Sequence, residues 1–337
     1  MSPLFRTSAV GVPSPASAHW LVDWMDGEDA DFRWAWQAAG ISTTVTRTTP
    51  MGPSVGTRGH RLRSWPTYAA LAAWAQATAP ADRLVAWQPI VGALTGLLSR
   101  ARRRPPGLTV ISPILTTGGS SWQQRLQLRG LQRAEHVVVS SRAGVDAVVG
   151  LGLRRERVSF VPFGVRPRRE VPRPPGEYLL AAGRDARDWV TLAAAARGLD
   201  MDVVVTGPRS LPDPGPLRLA PQVQGEAFFE LLEGAAGLVL PLARTDRSIG
   251  HNAMLAALAV GRPVVATRAL GIEDYLDEST AVLVPARDPD ALREGMRQLT
   301  DPATAAQMGR AALRAAHGRF SLQRFVAEVD AVSADRR

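Results

Sequence analysis

Short apolar runs alternate with segments of helical periodicity from about residue 19 to the end of the chain. Runs at His19–Met25, Thr43–Thr48, Leu84–Pro89, Leu108–Ile114, His136–Ser140 and Val158–Pro162 read as strands. Most are continuous Val, Ile and Leu stretches without polar alternation, as expected where both faces of a sheet are covered. Between them the pattern predicts helices at Ala30–Ala39, Thr67–Thr78, Gly92–Arg102, Ser121–Ala134 and Arg142–Leu151. Repeated strand-then-helix order implies crossover connections and a parallel, doubly wound sheet.

The pattern breaks at Arg166-Pro-Arg-Arg-Glu-Val-Pro-Arg-Pro-Pro-Gly176, where four prolines can continue neither element. It then restarts, with strands at Tyr178–Ala182, Asp202–Thr206, Gly237–Leu242, Pro263–Thr267 and Ala281–Pro285. Helices follow at Asp188–Arg197, Glu226–Ala235, Asn252–Val260, Asp288–Leu299 and Pro302–His317. The expected organisation is an α/β chain of two Rossmann-like domains. Residues 1–165 form the first, 166–176 a linker and 177–320 the second, and a C-terminal helix and tail over 321–337 pack back toward the first. Ligands of such open sheets sit beyond the carboxyl ends of the strands, so a cleft between two such edges is the expected site.

Composition changes this picture little. Apolar residues make up 45% and charged residues 21% of 337, a globular mix. There is no cysteine, which excludes disulfides, thiolate metal sites and cysteine nucleophiles. Lysine is also absent, so the net charge of +9 rests on arginine, and Schiff-base chemistry is excluded. Any phosphate must then be held by arginine forks, backbone amides or helix N-termini. The richest basic run, Arg100 to Arg104, lacks interleaved aromatics, so nucleic acid is not the expected partner. A solvated helix end is the plainest reading of that run, with weak peripheral contact to an anionic membrane or an anionic acceptor as the alternatives. No run approaches the roughly 18 apolar residues of a membrane span. A cytoplasmic location is expected, with the inner face of the membrane as its variant.

Three clusters carry candidate chemistry. In Ala182-Gly-Arg-Asp-Ala-Arg-Asp-Trp189 a strand ends at Gly183 and a helix begins near Asp188. Arg184 and Arg187 there flank a helix N-terminus, a cradle for a diphosphate or else a capped turn with solvated arginines. In Arg247-Ser-Ile-Gly-His-Asn252, Gly250 lets backbone approach a ligand, and Ser248, His251 and Asn252 offer donors at another helix start. The alternative for His251 is a polar cap. Glu273 and Asp274 follow a strand in Gly271-Ile-Glu-Asp-Tyr275 and could accept bonds from sugar or ribose hydroxyls, or remain loop charges. On the first domain His60, Asp23, Asp26 and the turn holding Thr117, Gly118 and Gly119 are candidate acceptor-side contacts. No nucleophile–base pair stands out.

Gly183-Arg184, Gly225, Leu240-Pro241, Ser248-Ile-Gly-His251, Leu255 to Thr267, Gly271 to Tyr275 and Val282-Leu-Val-Pro285, with Arg157 to Val165 before them, resemble the GT-B glycosyltransferases of the large retaining family 4. The likeness covers about residues 135–330 and extends to the first 130 only in strand–helix order. It implies that Arg184 binds the donor diphosphate, with Arg187 in place of the family's lysine, and that Gly250 approaches the donor's sugar and phosphate. Gly183, Ser248, His251, Asn252 and Glu273 would contact the sugar or nucleotide. The family has two glutamates with seven residues between them; alignment on Gly261-Arg-Pro-Val-Val265 places Ser248 and Ala256 there, and neither can act as a carboxylate.

The implied activity is transfer of a sugar from a nucleoside-diphosphate sugar, its only co-substrate, to a hydroxyl acceptor, with retention and without a metal or resident cofactor. The acceptor would be a small molecule, a lipid-linked compound or a glycan. The missing carboxylates keep two alternatives open: another GT-B activity, such as an epimerase or a pseudo-glycosyltransferase, and a catalytically silent partner protein.

Overall fold

A computed structural model describes every residue except 1–4, 15, 23–25, 49–57, 79–81, 100–102, 104, 112–121, 184–185, 212, 244, 247 and 336–337. The chain divides into two compact units, Met1–Val161 with Gln323–Arg337, and Pro162–Leu322.

Among the described residues the first unit holds seven strands: β1 (Phe5–Val10), β2 (Ala18–Val22), β3 (Thr43–Thr48), β4 (Arg83–Ala86), β5 (Gly107–Ile111), β6 (His136–Val139) and β7 (Val158–Phe160). Their order is β1-β3-β2-β4-β5-β6-β7, parallel except for β1, which pairs antiparallel with β3. The described helices between them are α1 (Asp26–Ala38), α2 (Arg58–Thr78), α3 (Pro89–Leu98), α4 (Trp122–Leu131) and α5 (Arg142–Gly150). One face of the sheet buries Leu21, Leu84, Val110 and Val137 against Leu71, Val91, Leu131 and Val148 of the helices. Trp20 packs edge-on against Trp36 of α1, their centroids 5.2 Å apart.

Expectation and structure differ at the edges. Strand β1 was not predicted, because Phe5-Arg-Thr-Ser-Ala-Val10 has one covered edge and only Val10 fully buried. Helix α2 starts at Arg58 instead of Thr67 and runs across Pro66. Proline suits the first turn of a helix, which is why the sequence suggests a later start. Helix α3 ends at Leu98, so the arginine run follows it.

The second unit holds β8 (Tyr178–Ala182), β9 (Asp202–Thr206), β10 (Leu217–Leu219), β11 (Gly237–Leu240), β12 (Val264–Thr267) and β13 (Ala281–Val284). All are parallel, in the order β10-β9-β8-β11-β12-β13. The helices are α6 (Trp189–Ala196), α7 (Glu226–Gly234), α8 (His251–Ala259), α9 (Pro289–Thr300) and α10 (Pro302–His317). Alternate strand residues serve opposite faces: Leu180, Leu238 and Val264 pack with Met254 and Leu258 of α8, while Leu179, Val239 and Val265 pack with Leu192 of α6 and Met296 of α9. Double burial of this kind produces the continuous apolar runs seen in the sequence. Only β10, a three-residue edge strand, was missed.

The proline-rich segment 166–176 is fastened to the second unit along its length. Arg168 N–H donates to the Ala259 carbonyl at 2.9 Å and Gly176 N–H to that of Ala235 at 3.2 Å. Arg169 pairs with Glu233 through two bonds of 2.7 and 2.6 Å. Arg262, only 2% exposed, donates to the carbonyls of Arg173, Pro174, Leu232 and Glu233. A buried guanidinium is tolerated because backbone oxygens take up its donors.

The last helix, α11 (Leu322–Ala334), belongs to the first unit for all but its first residue. Phe325 packs edge-on against Trp87 at 5.5 Å and Phe32 at 6.4 Å. Arg83 donates to Ser333 Oγ at 2.7 Å and lies 3.2 Å from the Asp330 carboxylate. The expected return of the C-terminal helix to the first domain is therefore observed. Among the described residues no helix is long and apolar enough to cross a membrane.

Candidate active site

In the second sheet the chain moves outward one way through β9 and β10, then resumes on the other side of β8 at β11. The point of reversal, between the carboxyl ends of β8 and β11, is where open α/β sheets accept ligands. Here the two loops are zipped together. Arg187 bridges Leu242, Asp188 N–H donates to the Pro241 carbonyl at 2.7 Å, and Ala243 N–H to that of Ala186 at 3.0 Å.

Gly183, directly after β8, has φ +121, a conformation that L side chains rarely adopt. Its backbone N–H donates to the Thr206 carbonyl at 3.1 Å. Arg187 lies across it: Nε donates to the Ala182 carbonyl at 2.8 Å, and a Cβ on Gly183 would stand 2.6 Å from Nη2. The guanidinium is thus seated on bare backbone at the strand end. Arg184 lies outside the described residues, so Arg187 is the arginine of this cluster whose position is defined.

The two expected helix starts differ. Asp188 caps α6, its carboxylate accepting from Thr191 N–H at 3.0 Å and from the Thr191 hydroxyl at 2.7 Å. That carboxylate takes up one of the free backbone amides at the start of α6. Helix α8 begins at His251, one residue before the predicted start, and its N-cap is Gly250 at φ +90 with no side-chain acceptor. Its first turn therefore offers backbone amides and the positive end of a helix dipole.

Ser248 and His251 stand at this start with Oγ and Nε2 2.8 Å apart. The imidazole lies between two rings, 5.5 Å from Phe163 and 4.8 Å from Tyr275 by centroid. Burial pushes its pKa down to about 4, so it is neutral at physiological pH. Asn252 is exposed in the first turn, while Ala256 is 5% exposed and faces the core. Glu273 sits in a 3-10 turn beyond β12 and pairs with Arg268, both side chains being more than half exposed. Its carboxylate is engaged by a local cation.

The sheet thus brings Gly183, Arg187, Ser248, Gly250, His251, Asn252 and Glu273 to the carboxyl ends of three adjacent strands, β8, β11 and β12. The first-domain candidates are less defined. Asp23, Thr117, Gly118 and Gly119 lie outside the described residues, and His60 and Asp26 lie in the first turns of α2 and α1, not at strand ends. Sequence reasoning gave Phe163 and Tyr275 no role, although both stand in stretches that carry the family likeness. Their signal was their aromatic character; what they enclose is decided by tertiary contact.

Residues 171–301, less than half of the chain, match the family described as Glycosyl transferases group 1. That stretch holds every described element of the rim. Sucrose-phosphate synthase from Thermosynechococcus elongatus superposes with a TM-score of 0.70 at 17% identity, over 94% of this chain and 98% of that one. HepE from Anabaena, in complex with UDP-glucose, gives 0.67 at 14% identity, over 94% and 99%. A glycosyltransferase from Rickettsia africae gives 0.63 at 12%, over 96% and 100%. At such identities structural likeness establishes the fold. The chain has the GT-B fold, and residues 171–301 of its second unit are similar to the group 1 glycosyl transferases. No curated protein matches the sequence significantly. The domain match and the GT-B fold together support a glycosyltransferase.

Proposed function

We propose that this GT-B chain transfers a sugar from a nucleoside-diphosphate sugar to a hydroxyl acceptor, with retention and without a metal. The observation that carries the reading is the pairing of a seated Arg187 with the uncapped start of α8 at one sheet reversal. An arginine fork and a helix N-terminus are two of the devices by which a lysine-free protein holds a diphosphate. Arg184 completes this cluster on the family likeness. The sugar end of the donor falls to Ser248, His251 and Asn252, and Glu273 reaches a hydroxyl by exchanging Arg268 for the ligand. With no nucleophile–base pair assigned, catalysis rests on positioning and on stabilising charge at the departing diphosphate.

HepE, which shares the fold, binds UDP-glucose, so UDP is the first nucleotide to test. Calorimetric titration with UDP, GDP, ADP and TDP should show one of them binding at micromolar or better affinity; binding of none would sink the proposal. The burial of Ala256 and the absence of a carboxylate at Ser248 favour one further reading, a silent GT-B partner protein. Release of nucleotide from a bound nucleotide sugar identifies an enzyme, whereas binding without turnover identifies the partner.

A further inference from the structure

Leu242, the second residue past β11, touches both halves of the proposed diphosphate cradle. Its backbone bridges Arg187 across the zipped loops, between the bonds from Asp188 N–H to the Pro241 carbonyl and from Ala243 N–H to that of Ala186. Its Cδ2 stands 3.8 Å from where a Gly250 side chain would begin, at the α8 start that has no side-chain cap. The two flanking bonds leave the Leu242 N–H pointing away from Arg187, toward β12. There it donates to Thr267 Oγ1 at 3.0 Å, Thr267 being 4% exposed and Leu242 1%. Thr267 closes β12 and pairs in register with Val284 of β13. The next N–H, that of Arg268, donates to the Val284 carbonyl at 2.8 Å. The hydroxyl that holds Leu242 is therefore itself fixed by strand pairing on the far side of β12.

We infer that Thr267 is a positioning residue for the donor diphosphate: by fixing Leu242 it sets the span between the Arg187 guanidinium and the backbone amides of α8. The inference rests on the donor-site reading above. It adds which residue makes the site answer to two phosphates instead of one. A monophosphate is held by one device at a time and follows it when it shifts. A diphosphate must meet both at once, so it loses affinity when their spacing changes. Without the Thr267 hydroxyl the buried Leu242 N–H loses this acceptor, and the segment that carries it is displaced.

The test uses the full chain, with UDP, UMP and inorganic pyrophosphate as probes. Thr267→Val keeps the branched, buried shape and removes only the hydroxyl, so the protein should fold. It should leave UMP affinity within about twofold and weaken UDP and pyrophosphate about fivefold, the usual effect of one lost hydrogen bond. Thr267→Ser keeps the hydroxyl and should restore the preference for UDP over UMP. Equal weakening of UDP and UMP, no weakening, or a serine variant that behaves like valine would overturn the inference. Amide hydrogen exchange gives a ligand-free measurement. In Thr267→Val the Asp188 and Ala243 amides, which zip the two loops, should exchange faster while those of β8 stay protected. A uniform change throughout the second unit would make Thr267 merely structural, and unchanged exchange also overturns the inference. If the wild-type chain binds none of the three probes, the donor-site reading falls, and amide exchange still decides whether Thr267 holds the loops in register.

Discussion

Arg187 lies across the backbone of Gly183, its Nε bonded to the Ala182 carbonyl at 2.8 Å and Nη2 filling the space that a Gly183 side chain would take. Arginine and glycine are one device. Four residues apart in sequence, they meet because the turn after β8 folds back and is zipped to the loop after β11.

Arg187→Ala should therefore leave the fold intact and weaken the bound nucleotide diphosphate about 10- to 100-fold, since a charge-assisted contact contributes about 1.5–3 kcal/mol. Gly183→Ala should reproduce part of that loss by displacing the guanidinium. It should also lower stability by about 1–3 kcal/mol, because φ +121 is strained for any L side chain. Calorimetry and urea unfolding of both variants check the pair. Full nucleotide affinity in Arg187→Ala would remove this arginine from the site.

Stability should fall on mild acidification. His19, buried and bonded to Thr46 Oγ1 at 2.8 Å, and His251 both have pKa values pushed down to about 4 by burial, against an ordinary 6.5. Each is neutral in the fold, whereas the unfolded chain takes up the proton near 6.5. Their contribution is present above pH 6.5 and is lost as pH falls from there toward 4, at most about 3 kcal/mol per group. Glu233 and Asp277 are held below their ordinary values of 4.5 and 3.8, so their loss begins only in more acidic solution. Urea midpoints between pH 7.5 and 5 should decline in the wild type and less steeply in His251→Gln; parallel curves would refute the assignment to His251.

Arg262→Met should cost about 3–5 kcal/mol, the range for removing one partner from a buried charged cluster. Four backbone carbonyls, two of them in the proline-rich segment, lose their donor. Limited proteolysis should then cut within residues 166–176 of the variant while sparing the wild type. A resistant variant would show that Arg169–Glu233 and the backbone bonds suffice to hold the segment.

Phe325→Ala should lower stability by about 3–5 kcal/mol through the cavity it leaves beside Trp87 and Phe32. Tryptophan fluorescence should report it, because Trp87 loses a packing partner. An unchanged spectrum and melting temperature would mean that α11 is held by its Arg83 contacts alone.

The sequence by itself determined the two parallel sheets, nearly every helix and strand, and the stretch in which the rim residues fall. It could do so because strands buried on both faces must be apolar throughout, and because Asp188, Asp288 and Asp301 mark helix starts by local chemistry. It missed β1 and β10, edge strands with a single neighbour, where little burial leaves little trace in residue type. Only the tertiary structure decided that α8 starts on Gly250 with no side-chain cap, that the proline-rich segment is strapped to the second unit, and that Phe163 and Tyr275 flank His251. The physical reason is the same in each case. A residue type states what bonds a group can make, but its partner is chosen by which distant segment the fold brings within about 3 Å of it.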